Sequence, residues 1–280
     1  MANSKNSNIV VYPTDGPNLN PIPPKQPEVE PRTHLDLSRT KLELYQESVD
    51  LLDSEGFALI RRNGFGGSDS SVLCGVNPYT TLDELIQQKA STTVSEEEKA
   101  IGQNVAVIKG NELEPLILHK AQQILATPVL KPTDMYRFVD YPWLTMNFDG
   151  VVDQGDAYVP AEAKVVTKKG ERHYDPLKTW FDSLRGFGNV PEDHSQKNIS
   201  IETKAALYGI PAYYYTQVQQ EMLALDAPYG YLFSLWDNIW AYRVFFIWRD
   251  TAVQNAIIIN GGKAWDRVEK LKNHTQKPPL

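Results

Sequence analysis

The segment YVPAEAKVVTKK, residues 158–169, carries a carboxylate and an ammonium group in the middle of an apolar run. Glu162 and Lys164 are two residues apart, and side chains at i and i+2 share one face of a β-strand. Taken alone, a Glu-x-Lys pair on a strand is most often a simple ion pair on a solvated face. The alternative is that the two residues form half of a metal-dependent catalytic site.

Two other carboxylates favour the catalytic interpretation. Asp149 ends a short apolar run in TMNFDGVVD, and a turn at DQGDAY would bring it beside Glu162 on a neighbouring strand. Glu114 in KGNELEPLI would add an acid from a preceding helix, with Glu112 as its competitor. Carboxylate oxygens suit a hard cation such as Mg²⁺, and the backbone carbonyl of Ala163 could complete the protein ligands.

Other catalytic chemistries find little support in the sequence. There is no phosphate-binding glycine loop followed by Lys-Ser/Thr and no Gly-x-Ser-x-Gly elbow. None of the five histidines is at zinc-ligand spacing. The one cysteine, Cys74, is flanked by Val72, Leu73 and Val76, which predicts a buried structural thiol rather than a nucleophile.

Composition limits the class of protein further. The 280 residues carry a net charge of −7, which argues against a protein that coats nucleic acid non-specifically. It does not exclude an enzyme that grips nucleic acid through a local basic patch. The sequence shows no membrane-spanning apolar run and no secretory signal, and its single cysteine cannot form an internal disulfide. A reducing cytosolic compartment is therefore expected.

The N-terminal part of the chain is predicted to differ from the rest. Residues 1–36 are rich in proline and lack apolar periodicity, which predicts a disordered arm, with a partner-binding polyproline segment as the alternative. Residues 37–280 are expected to form a single domain. Its first element is predicted to be a helix that is capped by Ser38 and ended by Gly56, with apolar residues at helical spacing: Leu42, Tyr45, Val49 and Leu52.

Helical patterns continue over the following residues. The capping box TLDE, with Thr81 and Glu84, opens a helix. A longer helical pattern extends over about residues 98–125, and Gly110 predicts a break in it.

Strand patterns begin after Pro128. Short runs of β-branched and aromatic residues predict a strand meander, and a polar, irregular segment follows at 171–208. Next come an amphipathic helix in YYYTQVQQEMLALD, two strands paired through a turn at Asp237–Asn238, and a last helix over about 250–272. These elements predict an α/β (α+β) fold in which helices flank a central mixed sheet.

Several motifs in this order resemble the YqaJ-like viral recombinase (phage lambda exonuclease) family of PD-(D/E)xK nucleases. Glu114, Asp149 and Glu162-Ala163-Lys164 resemble the PD-(D/E)xK signature, with Phe148 in place of its proline. RRNGFGGSDSSVLCGVNPYTT at 61–81 resembles the family's opening motif, GNELEP at 110–115 its helix motif, and YTQVQQEML at 215–223 its glutamine-containing helix.

The resemblance implies a restriction-endonuclease-like core and a specific activity. The implied enzyme is a Mg²⁺-dependent 5′–3′ exonuclease that degrades one strand of linear double-stranded DNA and leaves 3′ single-stranded overhangs for recombination by strand annealing. It would use two Mg²⁺ ions per active site, with Mn²⁺ as a substitute. Its expected partners are DNA ends, a single-strand annealing protein and copies of itself in a ring-shaped trimer, in the cytoplasm of a phage's bacterial host.

The resemblance also implies a role for individual residues. The metals would be held by four of them: Asp149, Glu162, Ala163 through its carbonyl, and Glu114. Lys164 would assist the attacking water and Gln217 would help to position it. Arg61 and Ser68 would bind the 5′-terminal phosphate, with Arg62 as an alternative to Arg61.

Two other functions stay open on the sequence alone. One is a structure-specific or nicking DNA endonuclease of the same fold, which would cut closed circles as well as linear DNA. The other is a DNA-binding phage protein that has no catalytic activity. The basic residues after the Glu-x-Lys strand, among them Lys168 and Lys169, are candidates for backbone phosphate contacts.

Overall fold

The computed structural model describes residues 34–102 and 104–275. The α-helices in these ranges are α1 (Ser54–Ile60), α2 (Ser70–Leu73), α3 (Leu82–Ala90), α4 (Glu96–Gly102), α5 (Val105–Leu125), α6 (Ile201–Tyr208), α7 (Ala212–Leu225) and α8 (Thr251–Thr275). The strands are β1 (Leu42–Gln46), β2 (Val129–Leu130), β3 (Met135–Phe138), β4 (Thr145–Met146), β5 (Val151–Asp153), β6 (Tyr158–Val166), β7 (Phe181–Asp182), β8 (Gly186–Phe187), β9 (Tyr229–Trp236) and β10 (Ala241–Trp248).

Seven of these strands form the central sheet, in the order β2-β5-β6-β9-β10-β7-β8. Strands β6 and β9 are parallel and the other neighbours are antiparallel. A smaller sheet has the order β1-β3-β4. The predicted central mixed sheet flanked by helices is therefore confirmed, as is the hairpin of β9 and β10.

Strand β6 is covered on both faces. Its alternating side chains send Ala161 and Ala163 into an apolar cluster with Ile117 and Leu118 of α5. The opposite face, which carries Glu162, lies under α7. Two helices thus enclose a strand that holds charged residues on one face only, which fixes where any chemistry of this strand takes place.

The predicted helix that begins at Ser38 is wrong. Residues 42–46 form β1 instead, which pairs antiparallel with β3 and sets Leu42 opposite Phe138. Helix α1 begins only after Asp53, whose side chain accepts a hydrogen bond from the N–H of Gly56. Gly56 thus lies in the first turn of a helix and does not end one. Pairing with a distant strand overrides the local helical spacing.

The capping box before α3 is confirmed, because Thr81 and Glu84 exchange hydrogen bonds with each other's backbone N–H. The predicted break near Gly110 is wrong, since α5 runs through this glycine. The interruption lies between α4 and α5, where the side chain of Asn104 accepts a hydrogen bond from the N–H of Ala106. Asn104 is an N-cap, and N-caps mark helix starts.

Three further segments complete the comparison with the sequence. Residues 1–33 of the predicted arm lie outside the described residues, whereas Leu35 is buried and the imidazole of His34 lies 2.7 Å from the Asp134 carboxylate. The polar segment 171–208 contributes β7, β8 and α6. No helix in the described ranges has the combination of length and apolarity needed to cross a membrane.

Candidate active site

The two central carboxylates are brought together by strand pairing. The register of β5 against β6 sets Val151 opposite Pro160, and just before β5 the carbonyl of Gly150 accepts a hydrogen bond from the N–H of Ala161. The Oδ2 atom of Asp149 accepts a hydrogen bond of 3.0 Å from the N–H of Ala163. The convergence of Asp149 and Glu162 that the sequence suggested is therefore present in the fold.

Lys164 stands between these carboxylates. Its ammonium group pairs with Oε1 of Glu162 and lies 3.5 Å from Oδ2 of Asp149. Burial alone would lower the pKa of Lys164, but the charges of Glu162 and Asp149 hold it well above its usual value. The side-chain amide of Gln217 donates a further hydrogen bond to Glu162 from α7. Lys164 is thus a permanent cation, and Gln217 orients one of its partners.

Glu162 is the most enclosed member of this group, with 1% of its surface exposed. Burial and the nearby charge of Asp149 raise the pKa of Glu162, while Lys164 opposes the shift, and the result is about 7. A carboxyl group with this pKa changes its protonation state near neutral pH. Its metal affinity should therefore depend on pH, because a metal ligand must be deprotonated.

Glu114 approaches the same group from α5. Its half-buried carboxylate pairs with the ammonium of Lys131, a residue that the sequence analysis did not single out. Burial and the charge of Asp149 raise the pKa of Glu114 despite the opposing effect of Lys131. The competitor Glu112 is exposed. Glu114, and not the exposed Glu112, is therefore the acid of α5 that belongs to the group around Asp149.

Glu221 is a further acid of the site that the sequence analysis missed. It is 2% exposed, and burial together with the charges of Glu162 and Asp149 raises its pKa well above the usual value. Its Oε1 atom has no hydrogen-bond partner among the described residues. Glu221 lies four residues after Gln217, so both share one face of α7. That spacing, visible in YTQVQQEML, could have identified it.

The turn of the GFGGSD segment packs directly against this face of α7. A Cβ atom at Gly67 would lie 3.4 Å from the Cγ of Gln217 and 3.7 Å from Oε1 of Glu221. Both are ordinary van der Waals distances, so the turn that carries Ser68 lies in contact with the catalytic candidates on α7.

The side chains of Arg61 and Ser68, which the sequence analysis assigned to phosphate binding, are in contact. Nη2 of Arg61 donates a hydrogen bond of 2.7 Å to Oγ of Ser68, and the Arg61 side chain is 39% exposed. Arg61 lines the same cleft, of about 620 Å³, as Glu114 and Asp149. A guanidinium group beside a hydroxyl in an open cleft can bind a phosphate.

Arg62 has a different environment. It is 5% exposed, and its guanidinium donates to the carbonyl oxygens of Ser91 and Thr93 and to both carboxylate oxygens of Glu98. Through these hydrogen bonds, the guanidinium holds the segment before α4 in place. Arg62 is therefore a structural anchor, which leaves Arg61 as the candidate for phosphate binding.

The donor set fits a divalent cation. Because N–H and C=O of one strand residue point to the same side, the carbonyl of Ala163 faces the side where its N–H meets Asp149. Asp149, Glu162 and this carbonyl would offer three oxygen ligands of the kind that Mg²⁺ prefers. Within the described ranges, no three His, Cys, Asp or Glu side chains are already arranged as a metal-binding cluster, and Glu114 is paired with Lys131.

A mixed sheet that brings Asp149 beside Glu162-x-Lys164, under a helix that carries Gln217, is the arrangement expected of a nuclease of the PD-(D/E)xK class. Residues 57–227 match the family model of the YqaJ-like viral recombinase domain. The match spans more than half of the chain, which therefore belongs to this family. The resemblance seen in the sequence is confirmed, and with it the assignment to an enzyme family that cleaves DNA.

Solved structures with similar folds were also found. LHK-Exo in complex with dAMP is 17% identical, with a TM-score of 0.48 over 78% of this chain and 95% of that chain. The alkaline exonuclease LHK-Exo from Laribacter hongkongensis is 16% identical, with a TM-score of 0.45 over 78% and 96%. A phage-related exonuclease from Haemophilus somnus 129PT is 14% identical, with a TM-score of 0.45 over 76% and 96%. Curated protein sequences gave no significant match.

Proposed function

We propose that this protein is a Mg²⁺-dependent 5′–3′ exonuclease that degrades one strand of linear double-stranded DNA. The observation that carries the proposal is that Arg61 lines the same cleft as Asp149 and Glu114. A group that can bind a terminal phosphate thus lies in the cleft of the catalytic carboxylates. Digestion from a 5′ end leaves a 3′ single-stranded overhang, which is a substrate for strand annealing.

Each carboxylate has a role in this proposal. Asp149, Glu162 and the Ala163 carbonyl would hold two Mg²⁺ ions, for which Mn²⁺ would substitute, and Glu114 would hold the second ion or its water. When bound, the ions neutralise the scissile phosphate and lower the pKa of water. Because Oε1 of Glu114 pairs with Lys131, this ion pair would compete with the metal or its water for the carboxylate.

Lys164 and Gln217 act on the attacking water. The ammonium of Lys164 lies between the two carboxylates, where it orients a water and offsets the negative charge that builds up on the phosphate. Gln217 donates to Glu162 and keeps its carboxylate aligned while positioning the water. These groups are held by a strand and a helix, and this rigidity limits the reorganisation that the reaction needs.

End recognition depends on Arg61 and Ser68. A 5′-terminal phosphate carries more charge than an internal phosphodiester, so a guanidinium fork and a hydroxyl favour the terminal group. The buried ion pair of Lys89 and Asp69, 2.7 Å apart, lies directly behind them, and Lys89 also donates to the backbone carbonyl of Arg61. This pair fixes the turn that presents Arg61 and Ser68.

The wider assembly belongs to the same proposal. Residues 37–280 form one catalytic domain, which associates as a ring-shaped trimer around DNA and works with a single-strand annealing protein in the cytoplasm of the phage's bacterial host. Enclosure by a ring would hold DNA without a high positive charge, which suits a chain of net charge −7.

The decisive experiment compares linear duplexes with 5′-phosphate and 5′-hydroxyl ends, with and without Mg²⁺, and includes closed circular DNA. Nucleotide release should require Mg²⁺, favour the 5′-phosphate and be absent with closed circles. Equal cutting of closed circles would show an endonuclease instead. Binding of linear DNA without any release would show a DNA-binding protein that has no catalytic activity.

A further inference from the structure

Three tyrosine rings form a continuous row from the protein surface to Lys164. The ring of Tyr79 is 75% exposed and meets the ring of Tyr213 edge to face, with centroids 6.0 Å apart. Tyr213 meets Tyr214 at 4.5 Å, and the Lys164 ammonium lies 5.3 Å from the centre of the Tyr214 ring. The row thus ends at the cation proposed to act on the scissile phosphate.

The backbone of Tyr79, the outermost residue of the row, is held by hydrogen bonds. Oδ1 of Asn77 accepts hydrogen bonds from the N–H groups of Tyr79 and Thr80, at 2.8 and 2.9 Å. Nδ2 of Asn77 donates to Oγ of Ser71 at 2.8 Å, which ties the loop to α2. Tyr213 lies in the first turn of α7. Tyr79 thus presents an exposed aromatic ring from a segment whose backbone is held in position.

The two outer rings come from the segments that carry the proposed DNA contacts. Tyr79 follows Arg61 and Ser68 in the 61–81 segment, and Tyr213 lies one helical turn before Gln217 in α7. In a nucleotide the sugar lies between the base and the phosphate. When the proposed DNA contacts hold the phosphates of the strand, its bases therefore lie beside the line of phosphates. Tyr213 is one ring contact beyond Tyr214, and Tyr79 is two ring contacts beyond it, at the protein surface.

We propose that Tyr79 and Tyr213 form a stacking site for one nucleobase of the strand that is cut, separated from its complementary base. This inference rests on the proposed nuclease function and adds to it the way in which the terminal nucleotides are held. Every nucleobase has an aromatic face, so the site accepts any sequence. The T-shaped contact leaves the outer face of Tyr79 open to the base.

A double-mutant cycle, which combines a tyrosine substitution with an abasic site in the DNA, tests whether the tyrosine contacts the base. Binding to a 5′-phosphorylated duplex is measured in EDTA, so that no strand is cut, with an abasic site at each of the first three nucleotides in turn. At one position the abasic site should weaken wild-type binding about tenfold. Tyr79→Ala should weaken binding to intact DNA about tenfold, with no further loss on that abasic DNA.

Matched variants separate stacking from a structural role. Tyr79→Phe and Tyr213→Phe keep an aromatic face and should bind like the wild type, whereas Tyr79→Leu and Tyr213→Ala should behave like Tyr79→Ala. Phe187→Ala is the control, because Phe187 is also an exposed aromatic residue but lies on the edge strand β8, four strands from β6. All variants should melt at the temperature of the wild type to within a few degrees.

The outcomes distinguish this inference from the proposed function. If ends are bound with a preference for 5′-phosphate but the tyrosine and abasic effects simply add at every position, the stacking site is refuted and the exonuclease stands. If the wild-type protein neither prefers phosphorylated ends nor releases nucleotides with Mg²⁺, the proposed function fails. The stacking site is supported if the effect of the abasic site disappears at one position in Tyr79→Leu but remains in Tyr79→Phe.

Discussion

Lys164 has two carboxylate partners, and its loss should stop catalysis while the protein stays folded. Lys164→Ala removes the cation beside Glu162 and Asp149, and Glu162→Gln removes the proposed metal ligand at nearly constant volume. We expect nucleotide release to fall by at least about 100-fold in both variants, the size typical for losing a proton-transfer or electrostatic group.

The same two variants should keep their affinity for 5′-phosphorylated ends in EDTA, because Arg61 and Ser68 are untouched. Circular dichroism and thermal melting report whether the fold is retained. If either variant is unfolded at 25 °C, the Glu162–Lys164 pair is a structural ion pair and its assignment to catalysis is wrong.

Glu221 offers a test of the electrostatics at a single residue. Burial and the charges of Glu162 and Asp149 raise its pKa in the folded protein above the usual 4.5. Above pH 4.5 the unfolded chain therefore releases a proton that the folded protein retains, and stability falls as pH rises. Each unit of pKa difference corresponds to about 1.4 kcal/mol.

Glutamine resembles a protonated carboxyl group and cannot titrate. Glu221→Gln should therefore gain stability relative to the wild type between pH 5 and pH 8, when the free energy of unfolding is measured with urea in EDTA. Glu112→Gln, at an exposed position of α5, is the matched control and should show no such trend. A stability difference that stays constant with pH for Glu221→Gln would contradict the prediction.

At the scale of elements, one buried ion pair connects α3 to the turn that presents Arg61. Lys89 is 3% exposed and bonds both Asp69 and the Arg61 carbonyl. Lys89→Met leaves the Asp69 charge buried without its partner, which typically costs about 3–5 kcal/mol. The preference for 5′-phosphate over 5′-hydroxyl ends should also decline, because the turn loses its support.

Urea unfolding and the ratio of digestion rates for the two kinds of end measure these effects. Lys99→Met is the control, since Lys99 pairs with Glu96 at the surface and such pairs contribute about 0–1 kcal/mol. An unchanged preference for 5′-phosphate in a folded Lys89→Met protein would show that the ion pair stabilises the fold without positioning Arg61.

The elements that the sequence predicted are those with strong local signals. Thr81 and Glu84 form a capping box that needs no tertiary information, and β9 and β10 are apolar strands joined by a short turn. Strand β1 was not predicted, because its pairing with β3 joins residues almost 100 positions apart. Asn104 was a readable N-cap signal, but Gly110 was given more weight as a helix breaker.

The residues of the candidate site also divide into those with a local sequence signal and those that depend on the tertiary fold. Asp149, Glu162 and Lys164 could be predicted, because turn-linked neighbouring strands and i, i+2 spacing determine which side chains meet. Lys131 could not, since no local pattern shows that it reaches Glu114 from the strand side of α5. The tyrosine row likewise depends on how Tyr79, from one segment, packs on α7.

At the scale of the whole molecule, four acidic side chains of the site lie where their burial and charge oppose folding. Burial and the charge of Asp149 raise the pKa values of Glu114, Glu162 and Glu221, and Lys164 and Lys131 oppose only part of this shift. A ligand that binds only the folded state stabilises the entire chain through mass action. A divalent cation at this site should therefore raise the melting temperature of the whole protein.

The size of this rise should depend on pH. The pKa of Glu162 is about 7 without metal, so at pH 6 a proton occupies a ligand that the cation needs, whereas at pH 8 the carboxylate is free. In metal-free protein, the raised pKa lowers stability as pH rises from about 4.5 to about 7. The cation competes with this proton for Glu162, so it should stabilise the protein more at pH 8 than at pH 6.

Thermal melting at pH 6 and pH 8, with Mg²⁺ or with K⁺ at equal ionic strength, measures the effect. At 100 times the dissociation constant the stabilisation is about 2.7 kcal/mol, which corresponds to a rise of roughly 5–10 °C at pH 8. In Glu162→Gln, Mg²⁺ should raise the melting temperature only slightly at both pH values, because the variant lacks the carboxylate that would bind the cation and take up the proton. An equal rise at pH 6 and pH 8 in the wild type would place the bound cation away from Glu162.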